Sequence, residues 1–231
     1  SLLDEKDVLD LEIPNVFFAT GARWRSDGVG RRHRKPIKMS TDTRIFVPED
    51  IMRGIKFPEK NILIFDDDQI YLAGVLAEHL ANSGLNVTLV TPASVVSPWT
   101  ENTLEQPRIQ KRLMDLGVRI FVGKILKSVE NGVGTLSCIY DQEEKELPCS
   151  SVLLVTERKR NTYLYDVLVK LQKNVTSKLK LIKLIGDAAE PGLLADAVYS
   201  GHMAARHFEI DPSITEKEYF RREIINLDRS K

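Results

Sequence analysis

The sequence predicts an α/β fold in two lobes, and three observations carry that prediction. Short apolar runs alternate with stretches whose apolar residues recur at helical spacing, which is typical of a parallel sheet with helices on it. Glycine or proline separates most of these runs. Short strand patterns at 128–133, 135–140 and 145–148 interrupt the alternation and predict a small antiparallel meander.

The elements follow from local patterns of apolar residues and turn signals. The predicted strands lie at 15–22, 62–65, 86–90, 118–122, in the meander, and at 151–155 and 179–188. The predicted helices begin at Pro48 and lie at 71–83, 103–116, 162–173, 192–209 and after Pro212. Gly84 and Gly117 end two of these helices, as left-handed cap residues do.

The bulk composition limits the classes of function. The chain has 231 residues, and 33 basic side chains balance 33 acidic ones. A neutral chain gives no electrostatic reason to expect nucleic acid or an anionic membrane as partner. The sequence contains no apolar run of membrane-spanning length, and from its acidic N-terminal residues we expect no signal peptide. Its two isolated cysteines indicate a reducing cytoplasm and are too few for an iron–sulfur cluster.

The run at 61–93 has the strand–helix–strand layout of a dinucleotide-binding unit, yet its phosphate-binding turn is absent. Asp66, Asp68 and Tyr71 stand where G-x-G-x-x-G belongs. We expect the carboxylates to stabilise the helix N-terminus and to repel a pyrophosphate. The second strand also ends without the acid that would bind a ribose. The sequence therefore predicts no NAD(P) site here. The alternative for Asp66–Asp68 is a Mg²⁺ site, but no second carboxylate cluster supports it, so we expect no metal.

Two other strand ends predict a binding edge. One apolar strand ends in Thr20, Gly21 and Ala22, and Gly21 has no side chain to keep a ligand away from the backbone. Another ends in Gly186 and Asp187 and leads into a helix rich in small residues. A glycine and an aspartate beside a helix N-terminus suit a polyol or a pyrophosphate. The alternative at both places is an ordinary turn.

Three weaker signals have plain alternatives. Trp24 is suited to stacking on a base or to packing its loop onto the sheet. The basic run RRHRK at 31–35 is suited to a phosphate or an acidic partner, but in a neutral chain we expect a solvated loop. His79 and His202 have no catalytic partner at suitable spacing, so we expect packing or surface histidines.

These motifs together resemble a known family. ATGARW at 19–24, the degenerate unit at 61–80, and LIGDAAEP with ADAVYSGH at 184–202 are similar to the C-terminal part of trimethylamine, dimethylamine and histamine dehydrogenases. These belong with the NADH:flavin oxidoreductases of the 2,4-dienoyl-CoA reductase type. The resemblance covers nearly the whole chain up to about residue 209. It implies two Rossmann-like, disulfide-reductase-like lobes. Residues 1–58 and 157–231 would form an incomplete FAD/ADP-binding-like domain, and 59–156 an inserted, degenerate NAD-binding-like domain.

The resemblance also implies a function. The chain would be the C-terminal, non-catalytic fragment of a cytoplasmic and dimeric enzyme that oxidises a small amine. FMN in an N-terminal barrel of the same polypeptide and a [4Fe–4S] centre, both outside this chain, would pass electrons to an electron-transferring flavoprotein. ADP or a FAD-like nucleotide would be bound by Thr20, Gly21, Ala22, Arg23, Trp24, Gly186 and Asp187. Two alternatives stay open: an NADH-dependent flavin oxidoreductase of the dienoyl-CoA reductase type, and a stand-alone nucleotide-binding or interaction module.

Overall fold

The computed structural model describes residues 3–173 and 178–208, which fall into two compact units. The terminal unit contains the described residues of Ser1–Ala22 and Arg160–Lys231, and the central unit is Arg23–Lys159. The helices are α1 (Glu5–Asp10), α2 (Pro48–Met52), α3 (Leu72–Asn82), α4 (Gln106–Asp115), α5 (Tyr163–Gln172) and α6 (Leu194–Arg206), with 3₁₀ turns at Pro98–Glu101 and Gly186–Ala188. The strands are β1 (Asn15–Phe18), β2 (Ala22–Trp24), β3 (Lys38–Met39), β4 (Arg44–Phe46), β5 (Asn61–Asp66), β6 (Asn86–Val90), β7 (Arg119–Phe121), β8 (Lys124–Glu130), β9 (Val133–Cys138), β10 (Glu144–Pro148), β11 (Ser151–Val155), β12 (Arg158–Arg160) and β13 (Leu181–Leu184).

The central unit is built on a parallel five-stranded sheet of order β4-β11-β5-β6-β7. Its middle strands are rich in Val, Ile and Leu and are buried on both faces, as strands of a covered parallel sheet are. One face packs on α3 and α4 through Ile64, Leu76 and Leu113. The other face packs on a second sheet through Phe65 and Leu136. The predicted α/β class is therefore confirmed.

The second sheet of the central unit contains the meander, in the order β10-β9-β8-β3. Strands β8, β9 and β10 pair antiparallel, as predicted, and β3 pairs parallel with β8. The predicted strand bounds were shifted, because the strand assigned to 128–133 runs across a turn. Asn131 and Gly132 both have left-handed φ values, of 52° and 74°. Asn-Gly is a strong hairpin signal, and the turn ends β8 at Glu130.

The terminal unit contains β1 and β13 as a parallel pair, with Asn15 opposite Leu181 and Phe18 opposite Leu184. Its small core contains Phe18 from β1, Leu168 from α5 and Val8 from α1. Helix α1 was not predicted. It is capped by Asp4, whose side chain accepts from the Asp7 amide at 2.9 Å while Asp7 accepts from the Asp4 amide. The predicted helix after Pro212 lies outside the described residues.

The predicted domain boundary at residue 58 was wrong. Residues 23–58 belong to the central unit, because β4 pairs with β11 and β3 pairs with β8. Ile37 is also buried in the core between the two sheets. Both strands are short, and β4 is followed by Pro48, so their sequence alone gave no clear strand signal. Within the part of the chain that the structure describes, no helix is long and apolar enough to cross a membrane.

Candidate functional site

The terminal unit has an edge at which two candidate segments meet. Because β1 and β13 are parallel neighbours, residues 20–22 and 186–187 follow strand ends on the same side of the sheet. The Ile185 amide continues the pairing by donating to the Phe18 carbonyl at 2.9 Å. Parallel sheets bind ligands at this side, beyond the carboxyl ends of the strands. We call this place the open edge.

Gly21 leaves space at the open edge. Its φ is 73°, and a Cβ placed on it would have no described atom within 4 Å apart from its chain neighbours. The turn around it is held by Asn161, whose amide donates to the Gly21 carbonyl at 3.0 Å. Thr20 Oγ1 donates to the Asn161 carbonyl at 2.5 Å. The glycine therefore serves the backbone conformation, and the space beside it is unfilled by the described chain.

The second strand end of the open edge is tied to α6. The Gly186 amide donates to Ser200 Oγ at 3.0 Å, and its φ is 58°. Asp187 Oδ1 accepts from the Gly192 amide at 3.2 Å. Asp196 accepts from the Leu193 amide at 2.7 Å, so its carboxylate already uses an amide at the N-terminus of α6. The carboxylates of Asp187 and Asp196 therefore hold together the turn at the start of α6.

Arg23 and Trp24, the remaining candidate residues, lie in the central unit. The Trp24 ring packs against the core of the central unit, and its backbone amide donates to Glu49 Oε1 at 3.0 Å. The Arg158 guanidinium lies 5.4 Å from the centre of the Trp24 ring. These contacts favour the packing alternative for Trp24. Arg23 is exposed.

The three aspartates lie at the end of β5 in the central unit, but they do not stabilise the helix N-terminus as expected. Helix α3 starts at Leu72, has no acidic residue in its first turn and no side-chain cap. Asp66 Oδ1 instead accepts from the Gln69 amide at 2.8 Å, and Asp67 Oδ2 accepts from the Arg32 amide at 2.7 Å. The carboxylates therefore bind backbone of the loops around them.

Burial changes the titration of these carboxylates. It raises the pKa of Asp66 to about 7, against the lowering effect of the Gln69 amide, and Asp68 and Asp67 raise it further by repulsion. Burial also raises the pKa of Asp68, although Arg158 and Arg31 act to lower it. Near neutral pH the cluster therefore carries less than its formal negative charge.

Two segments of the chain cover the carboxyl end of β5, and we call this place the filled edge. Ser97 lies over the first turn of α3, because a Cβ placed on Gly74 would lie 2.6 Å from Ser97 Oγ. The Trp99 amide donates to the Gln69 carbonyl at 3.3 Å. The second segment is residues 27–37, where a Cβ on Gly30 would lie 2.6 Å from Asp67 Oδ2. Chain atoms therefore fill the space beyond the carboxyl end of β5.

Sequence reasoning missed His33 as part of the filled edge. Its ring packs edge-on against Phe65, with centroids 5.6 Å apart, while Arg31, Arg32, Arg34 and Lys35 around it are exposed, as expected for a solvated loop. The sequence feature that could have identified it is a single histidine within the basic run RRHRK. Among the described residues, no group of three or more His, Cys, Asp or Glu side chains is arranged to hold a metal ion.

Comparisons with known proteins agree with this architecture. Residues 46–170 match the family model described as OYE-like second alpha/beta domain. Dimethylamine dehydrogenase of Hyphomicrobium sp. (strain x) is 30% identical over 93% of this chain and 32% of that protein. The fold and these matches define an α/β domain similar to about a third of this amine dehydrogenase. The chain belongs to the OYE-like second α/β domain family, on the trimethylamine dehydrogenase branch of the NADH:flavin oxidoreductases, as the motifs predicted.

Solved structures give the same result. Histamine dehydrogenase from Rhizobium sp. 4-9 is 37% identical, with a TM-score of 0.90 over 99% of this chain and 35% of that one. The 6-hydroxypseudooxynicotine amine oxidase from Pseudomonas geniculata N1 is 34% identical, with a TM-score of 0.83 over 90% of this chain and 31% of that one. The chain thus spans about a third of the length of the relatives it matches.

A more distant likeness concerns the fold alone. The flavoprotein disulfide reductase RclA from Escherichia coli is 18% identical, with a TM-score of 0.58 over 84% of this chain and 44% of that one. The predicted likeness to disulfide reductases is confirmed at the level of the fold.

Proposed function

We propose that this chain is the non-catalytic nucleotide module of a larger flavin-dependent enzyme that oxidises a small amine. One observation carries the proposal. The likeness to dimethylamine and histamine dehydrogenases extends over 93% and 99% of this chain, whereas the chain spans only 32% and 35% of those proteins. The reacting groups then belong to the other two thirds of the parent polypeptide, which is FMN-binding in this proposal.

The iron–sulfur centre of the proposed enzyme does not fit the residues present here. A [4Fe–4S] cluster needs about four cysteine thiolates, and this chain has two cysteines, Cys138 and Cys149. Burial raises the pKa of the Cys149 thiol to about 12, so it is a poor metal ligand. We place the cluster and the FMN barrel elsewhere in the same polypeptide. When bound, they carry electrons from the amine to an electron-transferring flavoprotein.

We place ADP, or the ADP half of a FAD-like nucleotide, at the open edge. The free space beside Gly21 and the joint position of Thr20, Ala22, Gly186 and Asp187 beyond two parallel strands support this placement. The backbone at Gly21 would approach the nucleotide, and Asp187 would accept from its hydroxyl groups. Arg23 and Trp24 would contribute less, because the Trp24 ring packs on the central unit's core.

We propose that NAD(P) does not bind at the filled edge. The contacts of Ser97, Gly30 and Asp67 support this, because a dinucleotide would have to displace them. An NADH-dependent oxidoreductase of the dienoyl-CoA reductase type needs that site, so it is the weaker candidate. The parent enzyme is proposed to be a cytoplasmic homodimer that binds neither nucleic acid nor membrane.

The test is the mass and the visible spectrum of the native protein, isolated with an antibody against this chain. We expect a polypeptide about three times longer, with flavin and iron–sulfur absorbance, that reduces a flavoprotein acceptor with an amine and not with NADH. Reduction by NADH would favour the dienoyl-CoA reductase alternative. A colourless protein of 26.2 kDa would contradict the proposal and favour a stand-alone binding module.

A further inference from the structure

Residues 27–37 form a closed loop, which we call the strap. Its ends are joined by a hydrogen bond from the Ile37 amide to the Asp27 carbonyl at 2.8 Å. Ile37 is buried in the core with Phe65 and Leu126, so the base of the strap is fixed. A surface loop of this length whose ends meet is an Ω loop, a type that is frequently functional.

The tip of the strap is held by a buried carboxylate. The Arg32 amide donates to Asp67 Oδ2 at 2.7 Å, and the Asp67 side chain is fully buried. The Gly30 amide donates to the His33 carbonyl at 2.9 Å, which closes the tip on itself. The Arg32–Asp67 contact joins the tip of the strap to the turn after β5.

His33 lies on the inner side of the strap. Its ring packs against Phe65 and hydrogen-bonds to the backbone of Leu126. The remaining ring nitrogen, Nε2, is buried and has no hydrogen-bond partner among the described residues. A neutral imidazole tolerates this place, because only a lone pair is left unpaired. An imidazolium would bury an N–H donor without an acceptor.

The charges that face His33 come from two elements. Asp67, in the turn after β5, favours its protonated form, and Arg32 of the strap itself opposes that form. Strand β8 contributes the Leu126 backbone and β5 contributes the Phe65 ring, neither of which is charged. Burial outweighs the attraction of Asp67 and lowers the pKa of His33.

We propose that the strap is a proton-operated cover of the filled edge, closed while His33 is neutral and opened when His33 takes up a proton. Opening exposes the carboxylates at the end of β5. The direction of the pH dependence follows from the linkage between proton binding and strap opening. The open state binds the proton near the ordinary histidine pKa of about 6.5, and the closed state binds it only at lower pH. Acidification below about 6.5 therefore favours the open state, by up to about tenfold per pH unit.

Hydrogen exchange of the full chain at pH 7.5 and 5.5 tests this proposal. Rates are corrected for intrinsic exchange and compared with amides of β5 and β6, which belong to the core. We expect protection of the strap amides to fall by about tenfold at pH 5.5 while core protection is unchanged.

His33→Asn keeps a side-chain N–H donor near the Leu126 backbone and takes up no proton, so its strap protection should not change with pH. His79→Asn, on the exposed side of α3, is the matched control and should behave as the wild type.

Two results would overturn the proposal. One is equal strap protection at both pH values in the wild type. The other is the same loss of protection in His33→Asn, which would assign the effect to another group. Should His33→Asn loosen the strap already at pH 7.5, an NMR titration of the wild-type ring decides. A His33 pKa below 6.5 that coincides with strap opening supports the cover, and a pKa of 6.5 or above contradicts it.

Discussion

The open edge and the filled edge are both ends of parallel strands, and they differ in whether other parts of the chain fill the space beyond the strands. Each lies beyond the carboxyl ends of parallel strands. At the open edge, a Cβ on Gly21 meets nothing within 4 Å, whereas at the filled edge a Cβ on Gly30 meets Asp67 Oδ2 at 2.6 Å. Glycine therefore has two uses here: Gly21 permits a left-handed turn beside free space, and Gly30 permits close packing of the chain on itself.

The comparison teaches that the edge of a parallel sheet can be covered by loops without change to the core of the sheet. The strands β5 and β6 keep their register and burial although the turn after β5 carries three carboxylates. Two loops cover the end of β5, and Asp67 accepts the Arg32 amide of one of them. The core of the sheet and the chemistry of its edge are thus separable, because the core depends on apolar burial and the edge on loop contacts.

The largest expected effect is at Asp66 of the filled edge. Its folded-state pKa of about 7 lies above the ordinary value of 3.8, so the native state holds the proton more tightly than the unfolded state. The free energy of unfolding therefore falls as pH rises from about 4 to about 7, by about 4 kcal/mol in total. Asp66→Asn keeps an acceptor for the Gln69 amide and does not ionise. It should exceed the wild type in stability above pH 8 and show a flatter pH profile.

Urea unfolding at pH 5 and 8.5 measures this difference. The control is Asp42→Asn, an exposed aspartate whose replacement should change stability by less than about 0.5 kcal/mol. Equal pH profiles for the wild type and Asp66→Asn would show that ionisation of Asp66 does not lower the free energy of unfolding.

The next effect is steric and separates the two uses of glycine. Gly30→Ala pushes a methyl group into Asp67 and Thr156, so we expect a loss of about 1–3 kcal/mol. Gly21→Ala meets no atom, but its φ of 73° strains an alanine, at a cost of about 1–2 kcal/mol. Gly54→Ala, with a φ of 75° and free space, reports this backbone cost alone. A Gly21→Ala loss well above that of Gly54→Ala, measured by urea unfolding, would mean that the open edge is also filled.

A third experiment tests the proposed ligand at the open edge. Calorimetric titration of the parent enzyme with ADP should show at least tenfold weaker binding for Gly21→Ala, because the added methyl group keeps the nucleotide from the backbone. Gly54→Ala carries the same backbone strain and should bind ADP as the wild type does. Equal affinity of the wild type and Gly21→Ala for ADP would remove the nucleotide from this edge.

The smallest expected effect concerns Trp24. Trp24→Phe keeps an aromatic ring on the core and under Arg158, so stability should fall by about 1 kcal/mol. ADP affinity, measured in the same titration, should change by less than about twofold. A tenfold loss of ADP affinity would instead indicate that Trp24 stacks on the base of the nucleotide.

Local patterns were sufficient where an element is defined by its own sequence. Strand β6 has the predicted bounds, and α3 begins and ends one residue inside the prediction. Gly84 and Gly117 have the predicted left-handed φ values, of 85° and 73°. In these cases the spacing of apolar residues and a terminal glycine lie within about a dozen residues of each other, so a short stretch of sequence defines the element.

Other features depend on partners that are distant in the sequence. Strands β3 and β4 are short and partly polar, and they are strands because β8 and β11 pair with them. The predicted helix at 103–116 starts only at Gln106, because the chain first forms the 3₁₀ turn Pro98–Glu101. The candidate residues show the same dependence. That the glycines and aspartates follow strand ends was predicted from sequence, whereas the packing of His33 depends on Phe65 and Leu126.

The pairing of β1 with β13 has a consequence for how the chain is made. Asn15 is synthesised before the central unit, and its partner Leu181 only after the whole central unit. Because domains fold as units during translation, the contiguous central unit can be complete while β1 still lacks its neighbour. Phe18, which the finished protein buries, is then an exposed aromatic residue on a nascent chain. The core of the terminal unit can therefore form only after α5 and β13 have been made.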